Sequence, residues 1–178
     1  MRFWRNLVPI LASVATLFLC VPASAEPTDT AVKAAFLPRF ARYVTWPPTA
    51  MPRGSDPFVL CVIGSDPFGA MLDDAVRSQS VDGRRIVVRR MDSADGAGGC
   101  QIAFVQGNRL HSTKQLIGAL GNKPILTVTD SGDGARRGMI HFTIFGGRVR
   151  FFIDQSSATQ RGLDISSRLL ALAIGVRQ

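Results

Sequence analysis

Short apolar runs alternate with amphipathic stretches along the middle of the chain. The stretches at 65–78 and 111–121 have helical spacing, and Ser65 or Asp66 followed by Pro67 is typical of a helix start. Four runs have strand length: residues 58–64, 100–106 and 124–130 are mostly apolar, and residues 84–90 have an apolar centre between arginines. Apolar strands interleaved with helices predict an α/β sheet that is covered by protein on both faces.

The stretch "AVKAAFLPRFARYVTWPP", residues 31–48, predicts an amphipathic opening helix. Pro38 removes a backbone donor, so we expect either a kink there or a helix that starts late. The sequence Trp46-Pro47-Pro48 ends the helix, because a residue before proline avoids helical geometry. The apolar stripe has the width of a core-facing surface and consists of Val32, Phe36, Phe40 and Tyr43.

The segment "GMIHFTIFGGRVRFFID" predicts two strands joined by a tight turn at Gly146-Gly147. This register places Ile140, Phe142 and Ile144 opposite Ile153, Phe151 and Val149 on one apolar face. The other face carries the pairs Phe145 with Arg148, Thr143 with Arg150, His141 with Phe152 and Met139 with Asp154. Aromatic and arginine side chains together favour an interface, so we expect this face, with His141, Phe145, Arg150 and Phe152, to bind a partner or a second copy. The alternative is that a helix, such as the C-terminal one, covers it.

The C-terminal segment predicts two helices. Gly162 is expected to close a short one, and the last one has an apolar stripe of Ile165, Leu169, Leu172 and Ala173. The predicted fold is therefore a single compact α/β domain. It has a mixed sheet of about six strands flanked by helices, a C-terminal antiparallel hairpin and a terminal helix.

Residues 1–25 are typical of a cleaved signal peptide. Arg2 and Arg5 precede an apolar run from Leu7 to Leu19, and Ala23-Ser24-Ala25 is a small-x-small cleavage pattern. The run is shorter than a typical membrane-spanning helix, and no later segment approaches the roughly 20 apolar residues that such a helix needs. We expect export and a mature chain of residues 26–178, a length typical of one domain.

The mature chain is basic. Of the formal net charge of +8, the charges of Arg2 and Arg5 leave with the signal, so +6 remains. An exported chain rarely meets nucleic acid, and its basic residues are scattered among acids, so no nucleic-acid partner is expected. A positive surface that faces an anionic membrane or an acidic partner domain fits better.

Two cysteines, Cys61 and Cys100, remain after cleavage. In an oxidising compartment an even pair predicts a disulfide, and two separate buried thiols are the alternative. Neither cysteine has a second Cys or a His nearby in the sequence, so no metal site is expected.

Candidate chemistry is sparse. "GSDPFG", residues 64–69, places a proline and an aspartate where a phosphate loop needs donors and a lysine, so capping is the better interpretation. "DSGDG", residues 130–134, lacks the closing glutamate of a calcium loop. His111 and His141 are the only histidines, and no G-x-S-x-G elbow accompanies them. We therefore expect neither an enzyme nor a cofactor.

Several short patterns occur in the order seen in one family of periplasmic proteins. They are "KAAFLPRFARYVTWP", "LCVIGSDPFG", "CQIAFV", "ILTVTD", "GMIHFTI", "RVRFFID" and "GLDISSRLLALA". Together they make the chain, from about Ala31 to Val176, resemble the YfiR-like family. The resemblance implies a compact α/β domain, commonly dimeric, with a disulfide that matches Cys61 and Cys100. It also implies regulation: such proteins repress a membrane-bound diguanylate cyclase of the YfiN type by binding its periplasmic sensor region, which limits cyclic di-GMP and biofilm formation.

The leading hypothesis is thus a non-enzymatic periplasmic regulator, with the periplasmic domain of a membrane-bound GGDEF-type signalling protein as its partner and a homodimer as its expected state. The alternative is a periplasmic protein that binds a small molecule at the carboxyl ends of its strands.

Overall fold

The computed structural model describes residues 27–131 and 138–178. The predicted signal peptide lies outside these residues, as does most of the "DSGDG" segment. Asp130, its first carboxylate, forms an ion pair with Lys33, with 2.6 Å between Nζ and Oδ2. This contact ties the opening helix to the end of a central strand.

The predicted alternation of strands and helices is present. The helices are α1 (Asp29–Phe40), α2 (Ala70–Arg77), α3 (Thr113–Leu120), α4 (Gln155–Thr159) and α5 (Ser167–Leu170). The strands are β1 (Val44–Thr45), β2 (Phe58–Gly64), β3 (Ser80–Val81), β4 (Arg84–Met91), β5 (Ile102–Gln106), β6 (Leu126–Asp130), β7 (Ile140–Phe145), β8 (Arg148–Asp154), β9 (Asp164–Ile165) and β10 (Gly175–Arg177). Short 3₁₀ turns occupy Ala41–Tyr43 and Pro48–Ala50. Within the described ranges, no helix is both long enough and apolar enough to cross a bilayer.

One large mixed sheet organises the molecule. In the part of the chain that the structure describes it has eight strands in the order β10-β8-β7-β6-β5-β2-β4-β3, and β1 pairs with β9 in a separate ribbon. The five central strands of this order, β7, β6, β5, β2 and β4, are parallel to one another. Strand β8 runs antiparallel to β7, and β3 runs antiparallel to β4. The predicted fold class is confirmed, and the sheet exceeds the expected six strands because β3 and β10 extend its two edges.

Each face of the sheet has its own core, as the apolar strands predicted. Along β2, Phe58, Leu60 and Val62 face one core while Val59, Cys61 and Ile63 face the other. The first core is covered by α1, α2, α4 and α5, and the second by α3 and the loop at 92–100. Both faces of β2 are therefore dry, which explains why this strand has no polar side chain.

Cys61 and Cys100 form a disulfide inside the second core. Their Cα atoms are 5.8 Å apart, within the normal range for such a bond, and both residues are buried. The bridge fastens the loop at 92–100 to β2. The alternative of two separate thiols does not describe this structure.

Helix α1 begins earlier than Pro38 would suggest. Thr28 caps it by accepting a hydrogen bond from the Ala31 amide at 3.2 Å, so the predicted late start is wrong. Pro38 lies in the last turn, and the α-helix tightens into a 3₁₀ turn only at Ala41. The most buried face is also rotated from the predicted stripe, because Val32, Phe36 and Tyr43 are only partly buried beside it. That face consists of Ala34, Leu37, Pro38, Phe40 and Ala41.

Helix α2 begins later than predicted. Asp66 accepts hydrogen bonds from the amides of Phe68 at 2.8 Å and Gly69 at 3.2 Å, which makes a separate turn. Gly69 then has φ of 49°, a conformation that glycine adopts readily, and the helix starts at Ala70. Asp66 therefore caps a turn rather than the helix itself.

The C-terminal segment contains less helix than predicted. Gly162, at φ of 74°, closes the turn after α4 as expected. The last helix is present but has four residues, and Ile165 pairs with Val44 in the β1-β9 ribbon instead of belonging to it. The chain then extends as β10 because the outer edge of β8 offers hydrogen-bond partners, such as the Phe151 carbonyl for the Ile174 amide at 3.0 Å.

Candidate functional site

The predicted register of the hairpin is correct in every pair from Ile140 to Phe145. His141 pairs with Phe152, Thr143 with Arg150 and Phe145 with Arg148. Since side chains alternate across a strand, these residues share the face opposite to the first core. We call the surface formed by His141, Phe145, Arg150 and Phe152 the hairpin face.

The four residues of the hairpin face differ in exposure. Phe145 is 67% exposed at the tip, Arg150 is exposed, and Phe152 is half-buried. His141 is only 6% exposed. The structure thus brings all four to one surface, with His141 as its floor and Phe145 as its most accessible apolar group.

The C-terminal helix does not cover this face. Leu169 of α5 is buried in the first core together with Phe142 and Phe151, on the other side of the sheet. The covering-helix alternative, in the form that names this helix, therefore does not apply.

His141 is held by the neighbouring strand β6. Its Nδ1 lies 2.8 Å from Oγ1 of Thr129, and the same oxygen accepts a hydrogen bond from the Gly138 amide at 2.8 Å. Oγ1 of Thr127 accepts from the Met139 amide at 3.1 Å. These threonine hydroxyls fix the start of β7, so the floor of the site is rigid.

A cavity of about 460 Å³ adjoins the hairpin face. Phe152 forms one wall and lies against β10, where Gly175 is its register partner. A Cβ at Gly175 would lie 3.0 Å from the Phe152 ring, so glycine allows the two strands to pair with the ring in this position. The lining comprises Gly138, His141, Phe152, Ile153, Asp154, Gly175, Val176 and Arg177.

Asp154 fixes the far end of this cavity. Its carboxylate accepts hydrogen bonds from the Ser156 hydroxyl at 2.8 Å and from the Ser157 amide and hydroxyl at 3.0 and 2.7 Å, and it forms an ion pair with Arg177. Partial burial alone would raise the pKa of Asp154, but the hydrogen bonds from Arg177, Ser157 and Ser156 outweigh it and hold that pKa well below its usual range. Asp154 therefore joins β8, α4 and β10 while ionised.

Sequence reasoning placed Asp154 on this face of the hairpin without singling it out, and it missed Gly175 and Arg177 as parts of the site. The serines two and three positions after Asp154 are a usable sign of a helix cap. Arg177 carries no such sign, because its role depends on β10 pairing with β8.

The carboxyl ends of β2 and β5, where the strand order reverses, are a usual place for a small ligand. Here the backbone fills that space: a Cβ at Gly64 would lie 1.8 Å from the Gln106 carbonyl oxygen. Ser65 closes the gap further, with its amide bound to the Gln106 carbonyl at 3.1 Å and its hydroxyl to the Gly107 carbonyl at 2.8 Å. A small ligand between these two strand ends would have to displace backbone contacts.

The observations describe an α/β domain whose candidate site is an exposed aromatic and basic surface. Among residues 27–131 and 138–178, no three His, Cys, Asp or Glu side chains are grouped so that they could hold a metal ion. The chain belongs to the YfiR/HmsC-like family, whose model matches residues 30–174. This is a periplasmic, regulatory family, and membership supports the general role of a periplasmic regulator of a diguanylate cyclase. No curated protein matches the chain significantly.

Proposed function

We propose that this protein binds the periplasmic sensor region of an inner-membrane GGDEF-type diguanylate cyclase and represses it, without catalysing a reaction. Export through the signal peptide at 1–25 would place it in the compartment where that region lies. Repression would lower cyclic di-GMP and restrain biofilm formation.

The hairpin face is the proposed docking surface. The observation that carries this assignment is Phe145, a phenylalanine that is 67% exposed beside exposed arginines at 148 and 150. Exposing an aromatic ring to water is unfavourable, and aromatic and arginine side chains dominate the energetics of protein interfaces. The net positive charge of the chain would favour an acidic partner surface.

The same face would also suit a homodimer interface. The effect of protein concentration on the measured mass distinguishes a homodimer from a complex with the partner. A homodimer would show a concentration-dependent mass for the mature chain alone. The partner complex would require the sensor region and would form at concentrations where the chain alone is monomeric.

The test uses the mature protein and the purified periplasmic region of a GGDEF-type membrane protein from the same organism. Phe145→Ala should weaken binding by at least about tenfold, as central interface aromatics do. The melting temperature should stay within error, because the ring is mostly exposed. Cells that carry the variant should have raised cyclic di-GMP.

Leu110→Ala is the matched control, since Leu110 is 77% exposed, precedes α3 and is not part of the hairpin. It should bind like the wild type. Unchanged binding by Phe145→Ala, or equal weakening by both variants, would remove the hairpin face as the docking surface. Absence of binding by the wild type to the sensor region would contradict the proposed function itself.

A further inference from the structure

A second cavity, of about 490 Å³, lies at the amino ends of β2, β5 and β6. We call it the basal cavity. It shares no lining residue with the cavity beside the hairpin face. Any ligand bound there would therefore contact different residues from a partner on the hairpin face.

Three cations line the basal cavity: Arg53, Arg89 and Lys123. Asp56 is the one acidic side chain in its lining, so the charge is positive overall. None of the ion pairs formed among the described residues includes any of these three cations. These exposed cations therefore carry charge beside the cavity, and none of them forms a direct ion pair with a carboxylate of the described chain.

The surface between these cations is mostly apolar. Met51 and the prolines at 52, 57 and 124 are partly buried and supply its accessible part, whereas Val59 and Ile125 are 7% and 2% exposed and contribute little area. A cavity with a mostly apolar wall and a few charged groups at one side is typical of a site for a small organic molecule.

The cavity is also held in shape. Gln101 accepts a hydrogen bond from the Val59 amide at 2.7 Å and donates to the Ala50 carbonyl at 2.9 Å, which ties two walls together. Cys100, another lining residue, is fixed by the disulfide to Cys61. A pre-formed site binds without first ordering its walls, so less of the interaction energy is lost.

We propose that the basal cavity binds a small organic anion, with a carboxylate or sulfonate group on Arg53, Arg89 and Lys123 and an apolar body against Met51 and the neighbouring prolines. Arginine suits such groups because its guanidinium donates two parallel hydrogen bonds. Asp56 disfavours ligands with several negative charges. The site is independent of the proposed partner binding.

The probe is 8-anilinonaphthalene-1-sulfonate, a sulfonate with an apolar aromatic body, titrated into the folded mature protein. We expect saturable binding to one site and methyl chemical-shift changes at Val59 and Ile125. Arg89→Gln and Lys123→Gln should each weaken binding by about tenfold, the usual effect of losing a charge-assisted contact. Arg168→Gln removes the same charge from an exposed position on α5, outside both cavities, and should change affinity less than about twofold.

Three results would overturn the proposal. One is equal weakening by Arg168→Gln, which would indicate general electrostatic attraction. Another is shift changes confined to the surroundings of His141 and Phe152. The third is displacement of the probe by inorganic phosphate at constant ionic strength, since that would mean a simple anion site with no use for the apolar wall. These measurements concern a different site from the hairpin face. They remain valid whether or not the Phe145→Ala variant loses partner binding.

Discussion

Gln101 connects four segments at the start of β5. Besides its side-chain bonds to Val59 and Ala50, its carbonyl accepts from the Leu126 amide at 2.9 Å and from Nε1 of Trp46 at 3.0 Å. The residue is 3% exposed, and both the oxygen and the nitrogen of its side-chain amide are hydrogen-bonded. A buried polar side chain is tolerated here because its bonds satisfy the Val59 amide and the Ala50 carbonyl.

Gln101→Leu should lower the free energy of unfolding by about 2–4 kcal/mol, because it leaves the Val59 amide and the Ala50 carbonyl without partners. Urea unfolding followed by circular dichroism measures the change. Gln106→Leu, at the other end of the same strand, is the control, since its side chain makes no hydrogen bond to another described residue. It should cost less than about 1 kcal/mol. Equal losses would show that the hydrogen bonds of Gln101 are not the cause.

At the residue scale, the sequence predicts which residues face each other within a hairpin. It does not predict contacts between strands that are joined by a longer connection. The pairing of His141 with Phe152 follows from the Gly146-Gly147 turn alone, because a two-residue turn fixes the register. The contact of His141 with Thr129 requires β6 to lie beside β7, which no local pattern encodes. Gln101 was likewise not singled out, because its function depends on segments that are distant in the sequence.

Among the elements, α1 contributes an aromatic cluster to the first core. Phe36 lies 6.0 Å from Phe151 and 6.3 Å from Phe142 between ring centroids, and Phe40 lies 5.5 and 5.7 Å from the same two rings. Phe40 is fully buried, whereas Phe36 is partly exposed at the edge of the cluster. The opening helix is therefore attached to the hairpin by its aromatic side chains.

Phe40→Ala should destabilise the protein by about 3–5 kcal/mol, as buried phenylalanines do, and Phe36→Ala by roughly 2–3 kcal/mol. The difference arises because part of the Phe36 ring already contacts water in the folded state. Thermal and urea unfolding of both variants would measure it. A Phe36→Ala variant with wild-type stability and lost partner binding would assign this part of α1 to an interface instead.

One carboxylate adds a side-chain attachment to the backbone pairing of β10 with β8. Asp154 forms an ion pair with Arg177 at the end of β10 and also caps α4. The pKa of Asp154 is lower in the folded protein than the value of about 3.9 in an unfolded chain. The folded state therefore binds fewer protons than the unfolded state. The stabilisation by the Asp154 carboxylate is fully present above the unfolded pKa and is lost as the pH falls through the lower pKa of the folded state.

Asp154→Asn should lower stability at pH 7 by about 1–2 kcal/mol, because asparagine preserves the helix cap but not the charge. The difference from wild type should shrink as the pH falls below about 4. Hydrogen exchange at the Ile174 amide, which bonds to β8, should become faster in the variant. Asp74→Asn removes an exposed ion pair with Arg77 and should have little effect. A difference that persists undiminished at pH 2 would exclude the carboxylate charge as its cause.

The elements that the sequence predicted correctly are those with long, consistent patterns. Strands β2, β5 and β6 are buried on both faces, so their apolar composition is decisive. Strand β10 has three residues and follows a leucine-rich stretch with helical spacing, and local propensity therefore favoured a longer helix there. It forms because β8 would otherwise have an unpaired edge, which is a property of the assembled sheet.

For the whole molecule, the two cores are covered unequally. The first has most of the helices, while the second has α3 and a loop that contributes only small residues, Ala94 and Ala97, before Cys100. Alanine buries little area, so such a loop gains little from the hydrophobic effect. The disulfide supplies the attachment that packing alone provides weakly, and it closes a segment of 39 residues in sequence separation.

Chain-entropy reasoning gives this bridge a stabilising effect of about 4 kcal/mol, because it restricts the unfolded chain. Replacing both Cys61 and Cys100 by serine should therefore lower the melting temperature by roughly 8–16 °C in a domain of this size. Protein produced in the periplasm should show a mass two hydrogens lighter than its reduced form. The wild type should lose thermal stability in dithiothreitol, and the double variant should be insensitive to the reductant. Two free thiols in the exported protein, or a double variant with unchanged melting temperature, would show that α3 and its loop hold the second core without the bridge.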